Sequence, residues 1–183
     1  MDIRDIPTSL IYALVSAFNA TRVAQARGSS YPHVTPTSTT DATDYRAPTN
    51  AAYQVTAATA SSLATLRTLC RDLYDVGVAH FADGGEDAQA HDAADSTNTW
   101  GTKPATDASL SDLQTWLNAR KTAWNAHLTQ SGVHYASDVT NAVSTADASD
   151  QSTANALANA LKDALNAHIT LALPGFSLRI VGA

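Results

Sequence analysis

The chain of 183 residues is long enough for one domain or two very small ones, and its 44% of apolar residues can fill a core. Only 15% of the residues are charged, and the net charge of −6 with 11 Lys and Arg leaves no basic stripe for phosphate groups. We therefore expect no nucleic-acid partner, and a surface with so few charges suits burial in an assembly.

Cysteine usage and the start of the chain limit the compartment. The single Cys70 rules out an internal disulfide framework, and we expect it to be a buried thiol. No apolar run reaches the roughly 18 residues that a membrane span needs. The first apolar run follows Asp2, Arg4 and Asp5, whereas a signal peptide begins with a basic segment. We therefore predict no membrane partner and no secretion signal.

Hydrophobic periodicity predicts about four helices. The first lies near 8–26, where Leu10, Ile11, Leu14, Ala17 and Phe18 recur at helical spacing. Residues 28–50 carry three prolines among serines and threonines, which predicts an extended insertion. The other helices are predicted near 59–79, 108–127 and 150–169. We expect the centre of the core to be formed by Leu66, Leu69, Leu113, Trp116, Leu157 and Leu161.

The last three predicted helices are copies of one unit. They end close to His80, His127 and His168, which are 47 and 41 residues apart. Counting back from these histidines aligns apolar with apolar residues, except that Arg120 stands where the other two helices have leucine. A period of 20 to 50 residues indicates stacked supersecondary units. We predict one helix per unit, with Arg120 either packed differently or carried outward on its stem.

Long polar connections separate the predicted helices. A connection of roughly 20 residues exceeds the few that join antiparallel neighbours. It can run back along a helix of about 30 Å, which favours helices that point the same way. The predicted fold is all-α: a single domain over residues 1–183, built as a bundle of about four helices from a one-helix repeat, with the insertion at 28–50 and a C-terminal arm at 170–183.

The C-terminal arm has the pattern of a strand. Pro174 and Gly175 signal a turn, and Phe176, Leu178 and Ile180 then alternate with other residues. Because the rest of the chain offers no comparable edge, we predict that this strand pairs with another chain by strand addition.

A second motif, HxxxDxxN, follows two of the helix-ending histidines. It is formed by His91, Asp95 and Asn98, and again by His134, Asp138 and Asn141. Asp and Asn side chains fix turns by bonding nearby backbone amides. A histidine at a helix end can bond the last carbonyls and, if charged, complement the helix dipole. A turn device is useful once per unit, whereas a catalytic metal is needed once per site. Duplication therefore favours a structural role for these residues and for the helix-ending histidines.

The alternative is a metal site. Its ligands would be His80, His91, His127, His134 and His168, with Asp95 or Asp138. HExxH and paired cysteines are absent from the sequence. We therefore predict no metal and no other cofactor, and keep a metal-binding helical-bundle enzyme as the alternative function.

No catalytic residue is predicted. The sequence has no GxSxG elbow and no glycine-rich phosphate loop, and Cys70 lies on the apolar face of a helix. We therefore expect a protein that is not an enzyme. Trp116 and Trp124 are expected in the core, whereas Trp100 can cover the end of the bundle or meet a neighbour. The predicted interaction residues are Trp100, Phe176, Leu178 and Ile180.

The repeat matches the form LxxxLNAxxxAxNAH…VHxxxDxTNxV…ADASD over about residues 55–170. The match is carried by Leu117-Asn118-Ala119, Trp124-Asn125-Ala126-His127, Val133-His134, Asp138-Val139-Thr140-Asn141-Ala142-Val143, Ala146-Asp147-Ala148-Ser149-Asp150 and Leu165-Asn166-Ala167-His168. This pattern resembles alanine- and threonine-rich helical modules in virion proteins of tailed bacteriophages. The resemblance implies a non-enzymatic structural component, such as a head-decoration, connector, collar or tail protein. It would be made in the host cytoplasm and reside in the virion, with other virion proteins and copies of itself as partners.

Overall fold

Three α-helices dominate the structure, a computed structural model that describes residues 17, 33–34, 54–82, 91, 93–134, 136–170 and 172–173. The helices are α1 (Leu63–Ala82), α2 (Leu110–His127) and α3 (Gln151–Thr170). They confirm the helices predicted near 59–79, 108–127 and 150–169 to within four residues at either end. We refer to these helices and the segments packed on them, residues 54–82, 91, 93–134 and 136–170, as the three-helix core.

Other predicted elements lie mostly outside the described residues. Of the helix predicted near 8–26, only Ala17 is described, and it is helical with an exposed side chain rather than a core position. Two short strands, β1 (His33–Val34) and β2 (Ala172–Leu173), pair in parallel. The first belongs to the predicted insertion at 28–50 and the second to the predicted C-terminal arm, so the pairing joins these two segments.

Each helix begins at a reciprocal pair of side chains three residues apart. The pairs are Ser62 with Thr65, Ser109 with Asp112, and Asp150 with Thr153. In α2 the backbone N–H of Asp112 donates to Ser109 Oγ over 3.1 Å, and the N–H of Ser109 donates to Asp112 Oδ2 over 3.0 Å. Such capping boxes satisfy N–H groups that a helix start leaves without partners. The cap at Ser62 explains why α1 begins later than its apolar periodicity predicts.

The core lies between the three helices, as the apolar stripes predict. Five of the six residues expected at its centre are at most 1% exposed: Leu66, Leu69, Leu113, Leu157 and Leu161. Burial of one such leucine side chain stabilises the fold by about 1.5–3 kcal/mol. The sixth, Trp116, is half-buried at the edge, where its indole Nε1 donates to the carbonyl of Thr102 over 2.9 Å.

Trp100 belongs to the core and not to an outer surface, which corrects its prediction as an interaction residue. It is 3% exposed, and its Nε1 donates to the carbonyl of Leu73 over 2.9 Å. The reason is Gly77, because a Cβ at that position would collide with the indole ring. Arg120 is also buried and not carried outward. Its guanidinium donates to the carbonyl of Trp100 and lies 5.5 Å from the centre of the Trp116 ring.

The connection between α2 and α3 runs back along α2. The side chain of Asn125 accepts from the backbone N–H of Val143 over 2.8 Å and donates to its carbonyl over 3.0 Å. Asn118, seven residues earlier, makes the same two bonds with Ala148, over 2.7 and 3.1 Å. The connection is therefore antiparallel to α2 and brings the chain back before α3 begins. The two helices therefore point the same way, which is the orientation that the length of the connection favours.

The same device joins α3 to the segment that precedes α1. Asn166 bonds both backbone groups of Val55, over 2.8 and 3.0 Å. Asn159 bonds those of Ala60, over 2.8 and 3.2 Å. The segment thus runs antiparallel to α3 and leads into α1, so α1 and α3 also point the same way.

Basic side chains complete these contacts. Lys121 donates to the carbonyl of Thr145 over 2.6 Å, and Lys162 donates to that of Ala57 over 2.5 Å. The pattern N-x2-K-x3-N therefore occurs in α2 and in α3 with equivalent partners. In α1, Arg67 and Arg71 donate instead to the carbonyls of Ala108 and Pro104. Each helix thus holds the segment that leads to another helix, and α3 closes the ring by holding the segment before α1.

Replacing Leu69 or Leu157 by alanine is expected to lower the free energy of unfolding by about 2–5 kcal/mol, because each change removes methyl groups from a fully buried position. Urea unfolding monitored by circular dichroism measures the effect. Val139→Ala is the matched control, since this side chain is 72% exposed and its truncation should change stability by less than about 0.5 kcal/mol. Unaltered stability in both leucine variants would show that the packing register is wrong.

Asn159→Ala and Asn166→Ala are each expected to lower the free energy of unfolding by about 1–3 kcal/mol, because buried backbone groups of Ala60 and Val55 lose their partners. Asn155→Ala on the same helix is the control, since that side chain bonds only to Gln151 within the helix among the described contacts. Equal losses of stability in all three variants would contradict a specific role in holding the segment before α1.

Candidate metal centre

Five histidines meet where the three helices end. His80, His127 and His168 come from the last turns of the helices, and His91 and His134 come from the two HxxxDxxN loops. One ligand atom from each ring lies within 4.8 Å of those of all the others. All five residues are buried, with His134 the most exposed at 9%. The histidines expected to have separate structural roles are thus one cluster, as the alternative prediction required.

Each HxxxDxxN loop is a turn held by its carboxylate. Asp95 Oδ1 accepts from the backbone N–H of Thr97 over 3.0 Å and of Asn98 over 2.8 Å. Asp95 Oδ2 accepts from the Asn98 amide over 2.8 Å. Asp138 makes the same three bonds to the residues two and three positions later, over 2.9, 3.2 and 2.6 Å. These bonds confirm that the motif pins its loop.

The loops are also fixed against the helix ends and against each other. The backbone N–H of Asp95 donates to the carbonyl of Phe81 over 2.9 Å, and that of Asp138 donates to the carbonyl of Leu128 over 3.1 Å. Both acceptors directly follow a helix-ending histidine. A bond of 3.4 Å from Ala93 N–H to the carbonyl of Val133 joins the loops. The fold therefore positions His91 and His134 beside the helix ends.

Each carboxylate also bonds the histidine that ends the next helix, a contact that the sequence analysis missed. His127 Nδ1 donates to Asp95 Oδ2 over 2.9 Å, and His168 Nδ1 donates to Asp138 Oδ2 over 2.8 Å. An imidazole that gives its Nδ1–H to a carboxylate keeps a lone pair on Nε2. Metal-binding histidines are oriented in this way. A sequence signal existed, since the two pairs are separated by 32 and 30 residues.

The lone pairs point into a common space. Among the described residues, the fully buried Nε2 of His127 has no hydrogen-bond partner. His134 Nε2 and His168 Nε2 are 3.2 Å apart. Around an ion with metal–nitrogen distances of about 2.1 Å, neighbouring nitrogens are about 3.0–3.4 Å apart and opposite ones about 4.2 Å apart. A hydrogen bond between His134 and His168 would fit the same 3.2 Å, but it leaves the lone pair of His127 unsatisfied.

Burial favours the neutral form of three of these rings, those of His127, His134 and His168. Burial lowers the pKa of His127 to about 4, although the bond to Asp95 opposes this shift. Burial, together with repulsion from His127 when that ring is protonated, lowers the pKa of His134 to about 3. Burial also holds the pKa of His168 well below its ordinary value. Neutral imidazole is the form that binds metal, so these rings need not lose a proton to become ligands.

Aromatic rings surround part of the cluster. Phe81 stacks on His127 with ring centres 4.0 Å apart. Trp124 lies 5.7 Å from the His127 ring and 5.1 Å from the His168 ring, and its Nε1 donates to the carbonyl of Asn141 over 3.0 Å. An apolar shell of this kind limits access by water and lowers the local dielectric constant.

The remaining predicted positions do not join this centre. Phe176, Leu178 and Ile180 lie outside the described residues, so their predicted role stays a prediction. Cys70 is fully buried, and burial raises the pKa of its thiol to about 12, which confirms the expected buried thiol.

Comparison with known protein-family models, characterised proteins and solved structures finds no match for this sequence. Among the described residues, no helix has the length and apolar character to cross a membrane.

Proposed function

We propose that the five-histidine cluster binds one transition-metal ion and that this ion stabilises the three-helix core. The observation that carries the proposal is the lone pair on His127 Nε2, which is buried beside four other imidazoles and has no hydrogen-bond partner in the described part of the chain. An isolated buried acceptor destabilises a fold, whereas coordination to an ion satisfies it. Neutral imidazoles suit zinc, copper, iron and nickel.

A structural role for the ion follows from the origin of its ligands. His80, His127 and His168 belong to three different helices, and His91 and His134 belong to two loops. One ion bound to these rings would cross-link segments that are up to 88 residues apart in sequence. Because the unfolded chain does not present such a site, the binding free energy adds to the stability of the fold.

Burial favours this role over the alternative of a metal-dependent enzyme. Catalytic metal sites keep a coordination position open to substrate, whereas structural sites are closed by protein ligands. Here the most exposed of the five histidines is 9% exposed, and Phe81 and Trp124 cover part of the cluster. An ion enclosed by these groups stabilises the fold without offering a place for a substrate.

The setting for such a module is proposed from the resemblance of the repeat. A non-enzymatic structural component of a tailed-bacteriophage virion, in the head, connector, collar or tail, agrees with the low charge of the chain and the closed centre. Rigid units that are joined by bonds from side chains to backbone groups suit a structural component of a particle. Its partners would be other virion proteins and further copies, engaged through the strand predicted at Phe176, Leu178 and Ile180.

Protein refolded with zinc, nickel or copper is expected to retain one ion per chain after desalting, measured by elemental analysis. Stripping the ion should lower the melting temperature, since a ligand present at 1,000 times its Kd stabilises a fold by about 4 kcal/mol. His127→Ala should lose both the ion and this stabilisation. His33→Ala, which alters the one histidine of the sequence that is not among the five, is the matched control. Failure to retain any ion, or an ion without effect on melting, would refute the proposal.

Deleting residues 174–183 is expected to leave the melting temperature of the three-helix core unchanged and to prevent incorporation into particles, because the deletion removes the predicted strand. Circular dichroism and immunoblots of purified particles measure the two effects. Ser177→Ala, which keeps the apolar alternation, is the control. Normal incorporation of the truncated chain would exclude strand addition as the assembly contact.

A further inference from the structure

We propose that Asp95 and Asp138 make this centre selective for divalent ions by supplying the two negative charges that balance the ion. The inference rests on the proposed metal function and extends it, because it assigns the charge of the ion and the residues that select it. Beyond orienting the imidazoles, the two carboxylates would determine how strongly the centre distinguishes a divalent from a monovalent ion.

Hydrogen bonds favour the ionised form of each carboxylate. Asp95 accepts bonds from Thr97 N–H, Asn98 N–H and the Asn98 amide, three groups that can only donate, and it also pairs with His127 Nδ1. Asp138 has the equivalent four partners. Four donors directed at two oxygens stabilise the ionised carboxylate.

The buried centre carries negative charge that a bound ion would offset. The paired side chains of Asp95 and Asp138 are 0% and 2% exposed, so both charges are removed from water. The buried imidazoles contribute no charge while they are neutral. Three helix ends, each with a partial negative charge, also meet here. A divalent ion offsets the charge of the two carboxylates, whereas a monovalent ion would leave a buried negative charge.

The distance between each carboxylate and the ion determines the size of this electrostatic effect. In each pair the carboxylate oxygen lies 2.9 or 2.8 Å from Nδ1, and an ion on the Nε2 side of the same ring would be about 6 Å from that oxygen. At an effective dielectric constant of about 20, attraction to one carboxylate then increases the affinity of the centre on the order of 50-fold to 100-fold for each unit of charge on the ion. The preference for a divalent over a monovalent ion should change by about that factor when one carboxylate loses its charge.

A merely orienting role predicts a different result. If Asp95 and Asp138 only fix the ring tautomers, their loss weakens every ion in proportion, because every ion needs the same Nε2 lone pair. The reduction potential of bound copper separates the two roles, since it reports the ratio of the affinities for Cu(II) and Cu(I) and not either affinity alone. The electrode supplies the one electron that converts Cu(II) to Cu(I).

The experiment measures this potential in the copper-loaded full chain and in the variants Asp95→Asn and Asp138→Asn. Each variant is expected to raise the potential by about 100 mV, which is a 50-fold change in the affinity ratio at 59 mV per tenfold change. Asp95→Glu and Asp138→Glu, which keep the charge, should shift it much less. Asp147→Asn, which removes a carboxylate that is 70% exposed, controls for net charge and should leave the potential unchanged.

Each outcome has a definite meaning. If the potentials of both Asp→Asn variants stay within about 20 mV of that of the unaltered protein, the inference is overturned and the metal site stands. The same holds if the variants fold but bind neither Cu(II) nor Cu(I). Failure of the unaltered chain to bind copper or any divalent ion would overturn the proposed function together with the inference. If one variant does not fold, the other decides, because each carboxylate bonds a different histidine and is predicted to shift the potential by itself.

Discussion

The buried hydrogen bond between a loop carboxylate and the histidine that ends the next helix is the contact on which the centre depends. Asp95 binds His127 and Asp138 binds His168, so each loop is complete only when the following unit is folded against it. Each bond also fixes the ring tautomer and directs the Nε2 lone pair away from the carboxylate. The same contact therefore joins successive units and prepares ligands for an ion.

A second set of contacts acts along the sides of the helices. Asn118 and Asn125 hold the segment that leads to α3, and Asn159 and Asn166 hold the segment that leads to α1. An asparagine side chain offers one acceptor and two donors, so it can bond both the N–H and the carbonyl of one residue, as a neighbouring strand would. These bonds satisfy backbone groups that a segment without secondary structure would otherwise bury without partners. They explain how connections of low apolar content pack tightly on the helices.

The sequence predicted what depends on neighbours along the chain. Apolar spacing located the three helices, counting from the histidines revealed the repeat, and the Asp and Asn spacing predicted the turns. It did not predict contacts between units, because these depend on the direction and packing of the helices. Asp95 and the asparagines on α2 and α3 could be identified in the sequence, but the groups in other units that they bond could not. Trp100 was misplaced because its slot is made by the missing side chain of Gly77, a property of packing rather than of pattern.

The parallel arrangement of the helices gives an independent reason for a cation at their meeting point. Antiparallel bundles alternate the ends of their helix dipoles, whereas here three negative ends converge at His80, His127 and His168. Protonation of His168 would offset this charge, but burial and repulsion from neighbouring histidines hold the pKa of its ring well below the ordinary value, which favours the neutral form. Two buried carboxylates increase the negative potential further. A metal ion is a cation that these rings can hold while they remain neutral, so the arrangement that the long connections create is electrostatically suited to the centre that the histidines form.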